Sequence, residues 1–197
     1  MLSPEIFGIR SAKHRTPSPG NVSFSIRPAP WDSQRLLVHP AGYPIESPPV
    51  LSLVASKQAN PNVVLSRGWG GGPFDVIGTA ELPSMFGFTS HLTLRGEPLN
   101  MRMSQMSGSF SLDHKCMGPV KWKTDGISGK TLELRDRSGT RLAKFGSRGH
   151  SGEKYIEMVA GDECFVELVL LSGMTARAVN KTISEATAEV MSPVVGA

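Results

Sequence analysis

The residues of this sequence with the clearest chemical potential are basic and concentrate in one stretch of forty positions. Residues 115–154 carry ten basic and four acidic side chains, a net charge of +6, whereas the whole 197-residue chain has a net charge of +4. A dense group of lysines and arginines attracts phosphate and other anions. The alternative is an ordinary solvated face of a mildly basic protein. The candidate anion-binding residues are Lys121, Lys123, Lys130, Arg135, Arg137, Arg141, Lys144 and Arg148.

A second combination could in principle do acid–base chemistry. His91 and His114 lie on or beside stretches of alternating polarity, where a barrel interior could bring them near Glu81, Glu97 or Asp113. Ordinary surface or capping histidines are the alternative. The sequence contains neither a G-x-S-x-G elbow nor an H-E-x-x-H metal motif. We therefore expect no enzymatic activity, no metal and no cofactor.

The two cysteines and the N-terminus bear on the compartment. Cys116 and Cys164 lie 48 positions apart, without a C-x-x-C pair, and we expect them to be free buried thiols. The first residues lack the apolar stretch of a secretory signal, and no apolar run reaches the roughly 20 residues of a membrane-spanning helix. These observations predict a cytoplasmic protein, at most peripheral at a membrane.

The basic residues must be positioned by strands. The chain contains 21 glycines and 15 prolines, and short apolar runs alternate with turn residues at a spacing typical of antiparallel β structure. Eleven strands are predicted at residues 35–39, 50–55, 63–66, 75–82, 87–94, 98–103, 108–112, 120–123, 131–135, 141–145 and 154–159. Alternation along a strand puts Lys121 and Lys123 on one face and Trp122 on the other. Because Trp122 and Phe145 are predicted to point inward, little aromatic surface is left for stacking on bases, and we favour lipid over nucleic acid.

The last segment is predicted to be a helix. Asp162 is a suitable N-cap, and seven of the eight residues from 164 to 171 are apolar, which is typical of a helix buried on all sides. The residues predicted to be buried are Phe165, Val166, Leu168, Val169, Leu170 and Leu171. The fold class is therefore mainly β: a closed antiparallel barrel of about eleven to twelve strands, around or capped by a hydrophobic C-terminal α-helix.

The predicted domain comprises residues 34–180, barrel and helix together. Residues 1–33 are rich in proline and serine and are predicted to be a disordered leader, because prolines interrupt both helices and central strands. Residues 181–197 are predicted to be an acidic amphipathic tail.

A series of short motifs supports a resemblance. They are residues 76–80 (VIGTA), 94–98 (LRGEP), 108–112 (GSFSL), 120–123 (VKWK), 132–139 (LELRDRSG), 142–145 (LAKF), 155–157 (YIE) and 165–173 (FVELVLLSG). Their order over residues 45–197 resembles the tubby C-terminal-like superfamily, which includes tubby proteins, phospholipid scramblases and the LURP-one-related proteins of plants. The resemblance is strongest to a small branch found widely in fungi. The long leader and the acidic tail depart from the family pattern.

The resemblance implies a barrel threaded by a hydrophobic helix and, as in tubby proteins, phosphoinositide binding through basic residues of the barrel. Scramblases add a terminal membrane helix, a cysteine cluster and a calcium-binding stretch, which this sequence lacks, so lipid scrambling is not expected. We expect a non-enzymatic membrane-surface or interaction module that binds anionic phospholipid or a protein partner; the oligomeric state is left open. The alternative is a small barrel that binds an apolar ligand, for example an isomerase or cyclase, and this requires an empty barrel interior.

Overall fold

Twelve antiparallel strands close into a barrel with one C-terminal helix in the computed structural model, which confirms the predicted fold class. The structure describes residues 20–84, 87–115, 117–124, 131–148 and 153–191, without the side chains of 148 and 186–191. The elements are β1 (Asn21–Ala29), β2 (Asp32–Pro40), β3 (Leu51–Ala55), β4 (Val63–Arg67), β5 (Val76–Glu81), β6 (Thr89–Leu94), β7 (Glu97–Met103), β8 (Phe110–His114), β9 (Gly118–Thr124), β10 (Leu132–Asp136), β11 (Arg141–Arg148), β12 (Glu153–Val159) and α1 (Glu163–Met191). Each strand pairs with its sequence neighbours, and β1 pairs with β12 to close the ring.

All eleven predicted strands are present, and β1 is the additional one. It lies inside the stretch predicted to be a disordered leader, so the barrel begins at Asn21 rather than at residue 34. Pro28 is tolerated because the register of β1 against β2 shifts directly after it, and prolines are accepted at such irregularities. Pro30 lies in the turn that follows. The part of the predicted leader before residue 20 lies outside the described residues.

Strand alternation separates the two faces of the barrel wall. In β10, Leu132 and Leu134 are buried inside the barrel, while Glu133 between them is on the outer face. In β9, Trp122 is fully buried while Lys121 and Lys123 are exposed, as predicted. This alternation is what presents the basic side chains to solvent.

The helix α1 fills the barrel interior. Ten consecutive residues, 167–176, are buried, and at 3.6 residues per turn they cover every side of the helix for almost three turns. Of the residues predicted to be buried, 168–171 are fully buried, Phe165 is buried and Val166 is half-buried. The predicted cap is present, since Asp162 Oδ1 accepts a hydrogen bond of 2.8 Å from the Phe165 amide.

Close contacts hold the helix against β9 and β5 of the wall. The Trp122 indole Nε1 donates a hydrogen bond of 3.0 Å to Ser172 Oγ, which in turn donates to the Leu168 carbonyl at 2.7 Å. A Cβ on Gly173 would lie 3.0 Å from the same indole, and a Cβ on Gly78 of β5 would lie 2.9 Å from a Leu171 methyl. The two glycines therefore provide the space that allows helix and wall to approach.

The helix runs from one end of the barrel to the other. We call the end where α1 begins the proximal end and the end where it leaves the distal end. At the proximal end the buried Glu167 carboxylate accepts bonds of 2.6 and 3.0 Å from Arg95, and Arg67 lies 3.6 Å away. Arg95 adopts a left-handed backbone conformation (φ 50°) in the β6–β7 turn. Its two hydrogen bonds to Glu167 and its ion pair with Glu163 stabilise this conformation.

The expectation of free thiols is wrong at Cys164, which is disulfide-bonded. Cys164 lies at the start of α1, at the proximal end of the barrel. Cys116 itself lies outside the described residues.

The predicted acidic tail begins as a continuation of α1. The helix extends without interruption through residue 191, and the side chains of residues 181–185 are exposed. Within the described part of the chain, no helix is both long and apolar enough to cross a membrane.

The contact of Gly173 with Trp122 predicts a large packing effect. Gly173→Val places a branched side chain against a rigid, fully buried ring, and we expect the free energy of unfolding to fall by about 2 kcal/mol. Urea unfolding followed by tryptophan fluorescence measures this. Gly71→Val is the matched control, since a Cβ there meets nothing within 4 Å; equal losses in both variants would contradict the packing of α1 against Trp122.

Candidate anion-binding groove

A row of cationic side chains crosses the outer face of five neighbouring strands. The cross-strand register pairs Arg102 of β7 with Ser111 of β8, Ser111 with Lys121 of β9, Lys121 with Arg135 of β10, and Arg135 with Arg141 of β11. Four of the five positions are basic. Since neighbouring strands are about 4.8 Å apart, the row spans roughly 19 Å.

The next row of the same face alternates in charge. Lys123 is paired with Glu133, Glu133 with Lys144, and Lys144 with Glu157 of β12. Such alternation is the arrangement that stabilises a sheet, whereas like charges directly opposite one another destabilise it. The row beside it has three cations on adjacent strands and no acidic residue, and it therefore has a cost for folding.

The cationic row runs through a shallow open groove of about 670 Å³ on the outer wall. Five basic side chains line it, with two acidic ones. These charged residues are Arg102, Lys121, Lys123, Arg135, Arg137, Asp113 and Asp136. The groove has a net positive charge and faces solvent.

The two arginines nearest to a carboxylate are partly neutralised. Arg135 donates a bond of 2.6 Å to Glu133 Oε2 and one of 2.8 Å to the Gly139 carbonyl, and Arg141 lies 3.4 Å from Glu133 Oε1. Asp136 anchors the β10–β11 turn, accepting bonds from the Ser138 hydroxyl at 2.6 Å and the Thr140 amide at 2.8 Å.

The other cations of the groove are available to a ligand. Arg102, Lys121, Lys123 and Arg137 form no ion pair with any carboxylate of the described residues. Their charge is therefore available to an anion from solvent.

Glu133 is held in its charged form. Partial burial raises the pKa of this carboxyl, but the hydrogen bonds and charges of Arg135 and Arg141 outweigh burial, and the net pKa lies below its ordinary value. This carboxylate is a built-in counter-charge beside the groove.

The structure brings most of the predicted basic residues onto this one face. Lys121, Lys123, Arg135 and Arg137 line the groove, and Arg141 and Lys144 lie beside it on β11. Two further candidates are not placed: Lys130 lies outside the described residues, and so does the side chain of Arg148.

Arg102 is a groove residue that the sequence prediction missed. It lies well before the basic stretch, and it reaches the groove because β7 pairs with β8 and Arg102 thereby faces Ser111. The alternating pattern of β7 and the short turn after Met103 were the signals for that pairing.

The aromatic side chains near the groove point away from it. Trp122 and Phe145 are fully buried, as predicted, so neither is available for stacking. An exposed aromatic pair, Trp31 and Trp69 with ring centroids 5.2 Å apart, contacts the outer face of β2, and β2 and the groove strands are far apart around the ring. The groove and the tryptophan pair do not form one surface.

Each predicted histidine lies near one of the candidate carboxylates, but His91 and its cross-strand partner Glu81 are on the outer face and not in the barrel interior. His91 is exposed on the outer face, where its Nδ1 lies 2.8 Å from Asn100 Oδ1. His114 is buried, with its Nε2 3.9 Å from Glu97 Oε2. Lys115 donates a hydrogen bond to the Glu97 carboxylate and lowers the pKa of that carboxyl. Glu97 is therefore kept ionised and paired with Lys115. Asp113 faces the groove instead.

In the described ranges, no group of three or more His, Cys, Asp or Glu side chains is arranged to hold a metal ion. Comparison of the chain with protein-family models, curated proteins and solved structures finds no match.

The lowered pKa of Glu133 predicts a specific dependence of stability on pH. Its stabilisation is present above the unfolded-state pKa of about 4.3 and is lost as the pH falls through the lower folded-state pKa. We expect Glu133→Gln to lower the free energy of unfolding by about 1 kcal/mol at neutral pH and to match the wild type in acid. Urea unfolding over this pH range measures the difference. Glu81→Gln removes an exposed carboxylate with no ion pair among the described residues and should show no such trend.

Proposed function

We propose that this protein is a non-enzymatic membrane-surface module that binds anionic phospholipid, such as a phosphoinositide, through the groove on β7–β10. The observation that carries the proposal is the cross-strand row in which Lys121, Arg135 and Arg141 lie on adjacent strands, and Arg102 follows beyond Ser111. A row of like charges weakens the sheet that contains it, and an anion in the groove offsets that cost.

The shape of the groove suits a membrane better than a small soluble ligand. It is open along the barrel wall, and its exposed cations point outward from strands that lie side by side. The barrel would therefore lie on the membrane with the wall of β7–β11 against the headgroups. Each cation near an anionic surface contributes roughly 1 kcal/mol to binding.

Membership in the tubby C-terminal-like superfamily is part of this proposal. It is supported by the motifs of residues 76–173 and by a closed barrel filled by an apolar helix, which is the fold that the resemblance implies. The apolar-ligand alternative has less support, because α1 occupies the space that such a ligand would need.

The test is co-sedimentation of the full chain with vesicles. Phosphatidylcholine vesicles are compared with vesicles that also contain a phosphoinositide, or phosphatidylserine at matched surface charge, at several salt concentrations. We expect binding to the anionic vesicles alone, weakened by salt, with Lys121→Met/Lys123→Met losing roughly fivefold in affinity per charge removed. Preference for the phosphoinositide at matched charge would identify the headgroup.

Two further variants sharpen the result. Lys115→Met removes one exposed cation outside the groove and should have little effect. Glu133→Gln removes the counter-charge of Arg135 and Arg141 and should strengthen binding. Equal binding to neutral and anionic vesicles, or none to either, would overturn the proposal; loss of binding in the Lys115 variant equal to that of a single groove variant would exclude the groove as the site.

A further inference from the structure

A second basic cleft lies at the distal end of the barrel, where α1 emerges. Its volume is about 310 Å³, near the lower limit of the roughly 300–1,000 Å³ typical of small-molecule sites. Its walls come from β2, the β3–β4 connection, β12 and one face of α1. Four cations line it, and among the described lining residues none is acidic: the cations are Lys57, Lys154, Arg177 and Lys181.

Two of these cations are held inside the barrel mouth. The cross-strand partner of Lys154 is Ile26, which is buried in the interior, so Lys154 also points inward. Arg177 approaches from the helix with its guanidinium 5.2 Å from the centre of the Phe145 ring. Both side chains are half-buried, and neither forms an ion pair with a carboxylate of the described residues.

This arrangement is costly in the ligand-free protein. Burial, and then the charges of Arg177 and Lys181, lower the pKa of Lys154, and burial lowers the pKa of Arg177. The contact with Phe145 offsets only part of the cost of burying a guanidinium. A bound anion would offset the rest, because it would supply the opposite charge that the described residues do not.

The outer two cations are organised differently. Lys57 is ion-paired with Glu185 of α1, and Lys181 lies 3.8 Å from the same carboxylate. Glu185 thus links the β3–β4 connection to the helix, while Lys154 and Arg177 have no ion pair among the described residues.

The wall on the strand side is preorganised by Asn62. Its amide nitrogen donates to the carbonyls of Ala59 at 2.7 Å and Lys57 at 3.2 Å, and its oxygen accepts a bond of 2.8 Å from the Leu82 amide. The connection is therefore fixed to the end of β5, and the cleft keeps its shape without a ligand.

We propose that this cleft binds a phosphate-bearing anion, a phosphate monoester or polyphosphate group, between Lys154 and Arg177. The site is separate from the groove on β7–β10 and does not depend on it. The phosphate could belong to a soluble metabolite or to a lipid headgroup with a terminal phosphate. Arginine offers a planar pair of donors and lysine a mobile one, a combination suited to phosphate.

The experiment uses the full chain and tripolyphosphate, with binding measured by calorimetry and the thermal midpoint measured in parallel. We expect one site in the wild type, and Lys154→Met/Arg177→Met should lose roughly tenfold or more in affinity. The same variant should have a higher midpoint than the wild type without phosphate, because it removes two like charges from a half-buried place. Lys115→Met removes one exposed cation that lines neither the cleft nor the groove; it is compared with the single variant Lys154→Met and should keep the affinity.

Two further experiments distinguish a soluble phosphate from a lipid headgroup. One arm uses glycerol phosphate in solution, and the other uses phosphatidylcholine vesicles with and without phosphatidic acid. Binding that Lys154→Met/Arg177→Met and Lys154→Met lose and Lys115→Met retains supports the site in either arm, and the arm in which it occurs identifies the source. Equal loss in Lys154→Met and Lys115→Met, or no loss in the double variant, would overturn the proposal. Lys154→Gln is the milder variant if the double one does not fold, as judged by circular dichroism.

Discussion

The enclosure of α1 is the constraint on which the rest of the structure depends. A ring of twelve strands leaves an interior that side chains from the strands alone do not fill, and the ten buried residues 167–176 fill it. Buried residues of the strands and of this helix form one hydrophobic cluster. Two polar side chains of α1 that enter the interior find partners there: Ser172 bonds Trp122 and Leu168, and Glu167 bonds Arg95 at the proximal end. The core thus consists of two layers, the strands and the enclosed helix. The two basic clefts lie outside it, one on the outer wall and one at the distal end.

The ends of the barrel are electrostatically different, and this difference orients the helix. At the proximal end Glu163 and Glu167 meet Arg67 and Arg95, so opposite charges are matched. At the distal end the inner cations Lys154 and Arg177 meet no such partner among the described residues. A reversed helix would bring like charges together at the proximal end. The ion pairs of the proximal end stabilise the fold, whereas the cations of the distal end are arranged as in a binding site for an anion.

Much of this fold could be predicted from local sequence pattern, because apolar and polar residues alternate along a strand that has one buried face. Residues 132–134 and 142–145 are examples, and the turn between them contains Asp136 and Gly139 as a hairpin requires. β1 could not be recognised in this way, because Pro28 is typical of a break in a strand and only the structure shows the register shift beside it.

The groove residues also divide into those that the sequence could predict and those that it could not. Lys121 and Arg135 were found because they are close in sequence, whereas Arg102 joins them only through the pairing of β7 with β8. The distal cleft could not be predicted from the sequence for the same reason, because its four cations come from three separate elements that only the closed ring brings together.

The position of α1 after all twelve strands in the sequence has a consequence for how the protein is made. The strands leave the ribosome first, with an apolar inner face that has nothing to pack against until residues 167–176 follow. The ring itself closes only when β12 meets β1, a contact between residues more than a hundred positions apart. The complete barrel therefore forms late in synthesis, because closure needs β12 and filling needs residues 167–176. For a nascent barrel of this kind, the interval before the helix emerges is the period of greatest exposure to aggregation and to chaperones.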